Sequence, residues 1–262
     1  MLFKNNNNII ISIIIPTYNR EKYIVNSVKS VLNQNFNNIE IIIVDDLSKD
    51  NTRYEIEKIK DNRIKYIKLN KNKGACYARN LGIKIAKGKF ISFQDSDDLY
   101  RFDKLKKQME NLNKYNSDFD FCRICVHVNQ TLKIYYPNDD IVNEIKNKNI
   151  FDILLSKGNF ISTQSILVKK NYIEKFLFDT KFPRWQDYDL VLRIIPNVKV
   201  SFTNETLVDV YKQKDSISLF PEKLKKAIIL LLNKNYGFNA SQKEQFSKYL
   251  NEVKTKIIEN NF

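Results

Sequence analysis

"NKGACYARNLGIKIAKGKFISFQDSDDLY" occupies residues 72–100, and its two halves have different periods. Ala78, Leu81 and Ile85 recur at helical spacing, whereas Phe90 to Phe93 is a short apolar run of the strand type. Further out on the amino-terminal side the same alternation repeats. Apolar, β-branched runs at 9–15, 39–44 and 64–69 are separated by stretches with helical spacing, such as Tyr23, Val28, Val31 and Leu32. Strands that are nearly continuous in apolar residues are what a parallel sheet covered by helices on both faces requires. The reading is therefore α/β: a Rossmann-like, doubly wound, mostly parallel sheet over residues 1–100. From 101 to 220 the regularity weakens into a mixed half, with a helix at 101–115, a strand in "DFDFCRICVHV", a hairpin through "NQTLKIYY" and a helix around 151–155. A basic helical appendage closes the chain at 221–262, where Ser241 and Glu244 form a capping box and Phe246, Tyr249, Leu250, Val253 and Ile257 share a stripe.

The composition of 262 residues, 43% hydrophobic, supplies a substantial core. A formal charge of +14 asks for an anionic partner: a phosphorylated small molecule, an acidic membrane surface or nucleic acid. No compact basic-aromatic motif supports nucleic acid. No apolar run approaches the ~20 residues a crossing helix needs, and the amino terminus lacks a cleavage-site pattern. A cytoplasmic protein, peripheral at most, is expected. Three cysteines suit a reducing compartment. In "CRIC" (122–125) strand geometry sends the two thiols to opposite faces, and His127, the sole histidine, reads first as strand filler.

Open parallel sheets bind ligands beyond the carboxyl ends of their strands. The loops there read "PTYNR" (16–20), "DDLSKDN" (45–51) and "QDSDD" (94–98). The last places Asp95, Asp97 and Asp98 at the end of a strand in a basic protein. Carboxylates spaced D-x-D offer hard oxygen ligands suited to Mg2+ or Mn2+, and such an ion lets an acidic loop receive a diphosphate. The competing reading has Asp97 or Asp98 capping the next helix and Asp95 in a solvated turn.

The ordered set "SIIIPTYNR", "EIIIVDDLSKDNT", the 72–100 segment and "RWQDYDLVLRI" (184–194) resembles the family 2 glycosyltransferases. The resemblance implies the glycosyltransferase A-type fold and inverting transfer from a nucleotide-diphosphate sugar, a UDP-sugar foremost, to a glycan or glycolipid acceptor. It places Pro16, Thr17, Tyr18, Asn19 and Arg20 around the nucleotide, with Tyr18 near the base. Asp46 would accept from the uracil imide N–H, Gly74 would allow close backbone approach, and Arg79 with Asn80 would complete the nucleotide side. Asp95 with Ser96 would face the ribose, and Asp97, with Asp95, would hold Mn2+ or Mg2+. Where relatives commonly carry Glu-Asp, this chain has Gln186-Asp187, which leaves Asp187 as the base; Asp189 is the competing choice, its favoured reading a surface pair with Arg193. Where many relatives carry a further histidine, it has Lys212, Gln213 and Lys214.

Three other readings stand beside this one. An acid-loop phosphotransferase would need an aspartate after the first strand, where "PTYNR" has none. A catalytically inactive nucleotide-sugar-binding relative is kept open by Gln186, and a basic nucleic-acid-binding module by the charge alone. The basic carboxyl-terminal helices are either a solvated outer face or a docking surface for anionic lipid.

Overall fold

The computed structural model describes residues 9–129, 131–213 and 221–259. Its amino-terminal half alternates β1 (Ile11–Thr17), α1 (Ile24–Leu32), β2 (Ile39–Asp45), α2 (Thr52–Glu57), β3 (Ile64–Lys68), α3 (Ala75–Ile85) and β4 (Phe90–Phe93). The four strands lie parallel in the order β3-β2-β1-β4. β1 and β2 are buried at every position, which is why their sequences carry no alternation.

The second half contributes β5 (Leu99–Tyr100), α4 (Lys104–Tyr115), β6 (Phe119–His127), β7 (Lys133–Tyr136), α5 (Asp139–Ile145), α6 (Ile150–Lys157), β8 (Ile166–Lys169), α7 (Lys170–Phe176), α8 (Gln186–Ile194) and β9 (Val200–Tyr211). The sheet runs on as β4-β8-β6-β9-β5, with β7 paired to β6. β8 is antiparallel to both β4 and β6, so this half is mixed as expected, and β6–β7 forms the anticipated hairpin.

Several boundaries differ from the sequence reading. The helix expected from residue 101 starts at Lys104 with Asp103 at its N-cap. Asp97 and Asp98 therefore do not cap it. The last helix, α10 (Ala240–Ile258), starts earlier than expected: the capping box is Asn239 with Gln242, not Ser241 with Glu244. Asn caps as well as Ser, and the earlier start lengthens the helix within its first turn. α9 (Pro221–Asn233) and α10 bury Leu224, Ile228, Leu231, Phe246, Leu250 and Val253 in the same cluster as Phe93, Phe121 and Tyr188. Their apolar stripe thus faces the main core, while Lys226, Lys243, Lys248, Lys254 and Lys256 stay exposed. All three cysteines are buried and free. His127 is more than filler: its Nε2 lies 2.8 Å from Asp209 and its ring stacks on Tyr211.

Candidate active site

The loops after β1, β2 and β4, the start of α3 and the start of α8 converge on one cleft of about 820 Å³. β1 and β2 fix the first two loops by register, Pro16 opposite Val44 and Thr17 opposite Asp45. Pro16, Thr17, Tyr18 and Arg20 line it from the first loop and Asp46 from the second. Asn19 does not line it. Its backbone is left-handed (φ 52°), its N–H donates to Ser48 Oγ at 2.9 Å and its Oδ1 accepts from Lys49 N at 2.9 Å. Asn19 joins the two loops. Asn80 also turns away, exchanging two 2.8 Å hydrogen bonds with the Phe178 backbone.

Asp46 has a task that local sequence could not disclose. Its two oxygens accept from Lys73 N (2.6 Å) and Gly74 N (2.7 Å), so it clamps the entrance of α3. Each oxygen keeps a second lone pair for a ligand. Gly74 sits at φ 85°, ψ 161°, a region open essentially to glycine, and a Cβ there would meet nothing within 4 Å. Backbone conformation accounts for this glycine, ahead of any close approach.

At the acid corner, Arg79 donates to Asp95 Oδ1 at 2.7 Å, and Arg20 Nε lies 3.3 Å from Asp97. Asp98 is buried and accepts from Gln164 Nε2 (2.9 Å) and Tyr211 N (3.0 Å). Burial, then the charges of Asp95 and Asp97, raises its pKa well above the ordinary range. Three carboxyl groups thus crowd one corner, two of them paired with arginines and the third, Asp98, favoured in its protonated form. Hard oxygen donors under mutual repulsion fit a divalent cation of the Mg2+ or Mn2+ kind. Buried Thr17 Oγ1 and Arg79 Nε, atoms of two residues that line this cleft, have no hydrogen-bond partner among the described residues. Such orphans fit a polar ligand.

Opposite stands α8. Asp187 accepts from Tyr188 N at 2.8 Å, and burial pushes its carboxyl up to about 6, with the Tyr188 N–H and Arg79 pulling it back and Asp95 adding to the rise. Tyr188 anchors this position: it is fully buried, donates to Leu154 O at 2.7 Å and meets Phe246 and Tyr249 edge-on. Asp189 does pair with Arg193 (2.6 Å), but not on the surface. It is wholly buried and also receives Tyr236 Oη at 2.8 Å and Lys234 at 2.7 Å. Lys212 lines the cleft; Lys214 lies outside the described residues. Cys125, His127 and Asp209 also approach within 4.8 Å of one another, yet Arg101 already takes both Asp209 oxygens. That guanidinium supplies the charge a metal would bring.

Loops beyond a parallel α/β half bring an acid corner and a helix-borne carboxylate to one cleft, the arrangement expected of the glycosyltransferase A-type fold. Solved structures bear out the fold. A Staphylococcus aureus TarS fragment in complex with UDP-GlcNAc matches 94% of this chain and 73% of its own at a TM-score of 0.72 and 22% identity. The mannosyltransferase PcManGT of Pyrobaculum calidifontis, solved with GDP-Man and Mn2+, covers 94% and 69% at a TM-score of 0.66 and 17% identity. The pattern of Glycosyl transferase family 2 matches residues 12–177, and the chain belongs to that family. Among its relatives is the Escherichia coli UDP-Glc:alpha-D-GlcNAc-diphosphoundecaprenol beta-1,3-glucosyltransferase WfgD, 33% identical over 197 residues, 74% of this chain and 73% of that one. An uncharacterized glycosyltransferase of Haemophilus influenzae is 33% identical over 84% of this chain and 85% of its own. Among the described residues no helix is long and apolar enough to cross a membrane.

Proposed function

We propose that the chain transfers a hexosyl or N-acetylhexosaminyl group from a UDP-sugar to a hydroxyl of a lipid-linked glycan, with inversion at the anomeric carbon. The observation that carries this reading is the shared cleft: the Asp95–Asp97 corner and Asp187 line it from different elements, the loop after β4 and the start of α8. Asp46 and Tyr18 receive the uracil, the carboxylate taking the imide N–H, a donor that cytosine lacks at that position. Asp97 with Asp95 would hold Mn2+ or Mg2+, which when bound offsets the charge of the departing diphosphate. Arg79 holds Asp95 in place for that task. Asp187 removes the proton from the acceptor hydroxyl as its oxygen bonds to the anomeric carbon. The bond from that carbon to the donor diphosphate breaks, and its electron pair leaves with UDP. Base and leaving group on opposite sides of the carbon enforce inversion without a covalent enzyme intermediate.

The acceptor class follows the diphosphoundecaprenol substrate in the name of the Escherichia coli relative. An acceptor of that kind is met at the cytoplasmic face of a membrane, where the exposed lysines of α9 and α10 would favour anionic lipid. Calorimetric titration with UDP tests the donor side: binding strengthened by Mn2+ and lost in Asp97→Ala is expected, and binding indifferent to both refutes the assigned corner.

A further inference from the structure

The arginines at the donor corner are committed, Arg79 to Asp95 and Arg20 to Asp97. Arg184 is not. It lines the same cleft three residues before Asp187, is half-buried, and makes no hydrogen bond or ion pair among the described residues. Burial lowers its pKa, with Asp187 opposing the shift, so its charge has been drawn out of water without a bonded partner.

The backbone beside it is unusual too. Trp185, the N-cap of α8, is left-handed at φ 59°, ψ 32°, a conformation rare for a bulky side chain. Its indole lines the cleft and meets Tyr188 edge-on at 5.5 Å. Strain of this kind persists where surrounding packing over-determines it, and such positions cluster at ligand sites. Here it sets Arg184 outside the helix while keeping it on the cleft wall with Asp187. Lys212, an exposed residue whose side chain makes no hydrogen bond or ion pair among the described residues, lines the cleft as well.

In-line displacement puts the base on the acceptor side of the anomeric carbon. A cation that shares the base's wall therefore faces the acceptor, while the donor diphosphate faces the acid corner. We propose that Arg184 determines acceptor specificity: its guanidinium fork receives a phosphate ester carried by the acceptor sugar whose hydroxyl Asp187 deprotonates. This rests on the glycosyl-transfer reading of the cleft. Two parallel N–H donors match two phosphate oxygens, a geometry that a lysine reproduces only as a point charge.

The test uses two soluble acceptors, an N-acetylhexosamine joined through a diphosphate to a short alkyl chain and the same sugar as a neutral alkyl glycoside. With UDP and Mn2+ present, the wild-type protein is expected to bind the diphosphate acceptor at least about ten-fold more tightly. Arg184→Gln should abolish that preference and raise KM for the diphosphate acceptor about ten- to hundred-fold, with kcat, UDP affinity and use of the neutral glycoside held near wild type. Arg184→Lys should recover part of the loss. Equal losses on both acceptors, or weakened UDP binding in Arg184→Gln, would overturn the assignment. So would wild-type protein that binds UDP yet treats the two acceptors alike, a result that needs no variant to fold and leaves the donor reading standing. Wild-type protein that binds no nucleotide removes the donor reading, and this inference with it.

Discussion

Asp187 must be ionised to act as a base, yet its surroundings favour the protonated form. With its pKa pushed up to about 6, transfer should rise with pH across that value and level off above it. Initial rates from pH 5 to 8 check this: a limb near 4, where an ordinary aspartate titrates, would exclude Asp187 as the group seen. Asp187→Asn should lower turnover roughly 10²- to 10⁴-fold. The same substitution should stabilise the fold. The folded pKa lies above the unfolded one, so ionisation opposes folding at pH values above about 6, and the penalty fades as pH falls toward 4. Asp187→Asn is expected to melt higher than wild type at pH 7.5 by an amount that shrinks on acidification. A lower melting temperature at pH 7.5 would show that the carboxylate is structural. The lining of the cleft was only partly legible in the chain. "VDD" and "PTYNR" mark loops that do border the cleft, but Asp46 also clamps Lys73 and Gly74, and Asn19 ties loop to loop. Those partners are distant in sequence, and local spacing carries no trace of them.

β1 and its neighbours depend on close backbone approach at the α3–β4 link. A Cβ on Gly88 would lie 2.6 Å from Ser12 N and 2.8 Å from Ile11 C, atoms of a central strand that cannot give way. Gly88 N also donates to Ser12 Oγ, which in turn donates to buried Glu40. Gly88→Ala should therefore cost roughly 1–3 kcal/mol by overpacking and lower the melting temperature by several degrees. A calorimetric scan that shows no change would mean the strand relaxes freely. The parallel half was readable because each strand is buried on both faces and each helix shows its stripe. β8 and β9 were not recognised: β8 is four residues long and enters the sheet between β4 and β6, strands far from it in the chain. No periodicity reports that placement. α10 was found by its stripe, but its start was misplaced because Ser241 and Asn239 both satisfy the chemistry of a cap.

The carboxyl-terminal helices and the site form one mechanical unit. Phe246 and Tyr249 pack on Tyr188, which follows Asp187 directly, so α10 helps to hold Asp187 in place. A chain ended at residue 213 would uncover Leu224's and Phe246's partners across the core, an apolar patch of the kind that drives association. Such a truncation should be recovered aggregated; a monodisperse product in size-exclusion chromatography would show the helices dispensable. The strong positive charge has a local counterpart in Arg184 and Lys212, which line the cleft with its acid-rich corner. The central claim is that one cleft holds donor and base on opposite sides of a reacting carbon, and a crystal structure with a non-hydrolysable UDP-sugar and Mn2+ tests it most directly. The account predicts uracil at Asp46, the ion between Asp97 and the diphosphate, and the Asp187 carboxylate facing the anomeric carbon from the side away from UDP. A nucleotide bound outside this cleft, or Asp187 on the same side as the diphosphate, would contradict it.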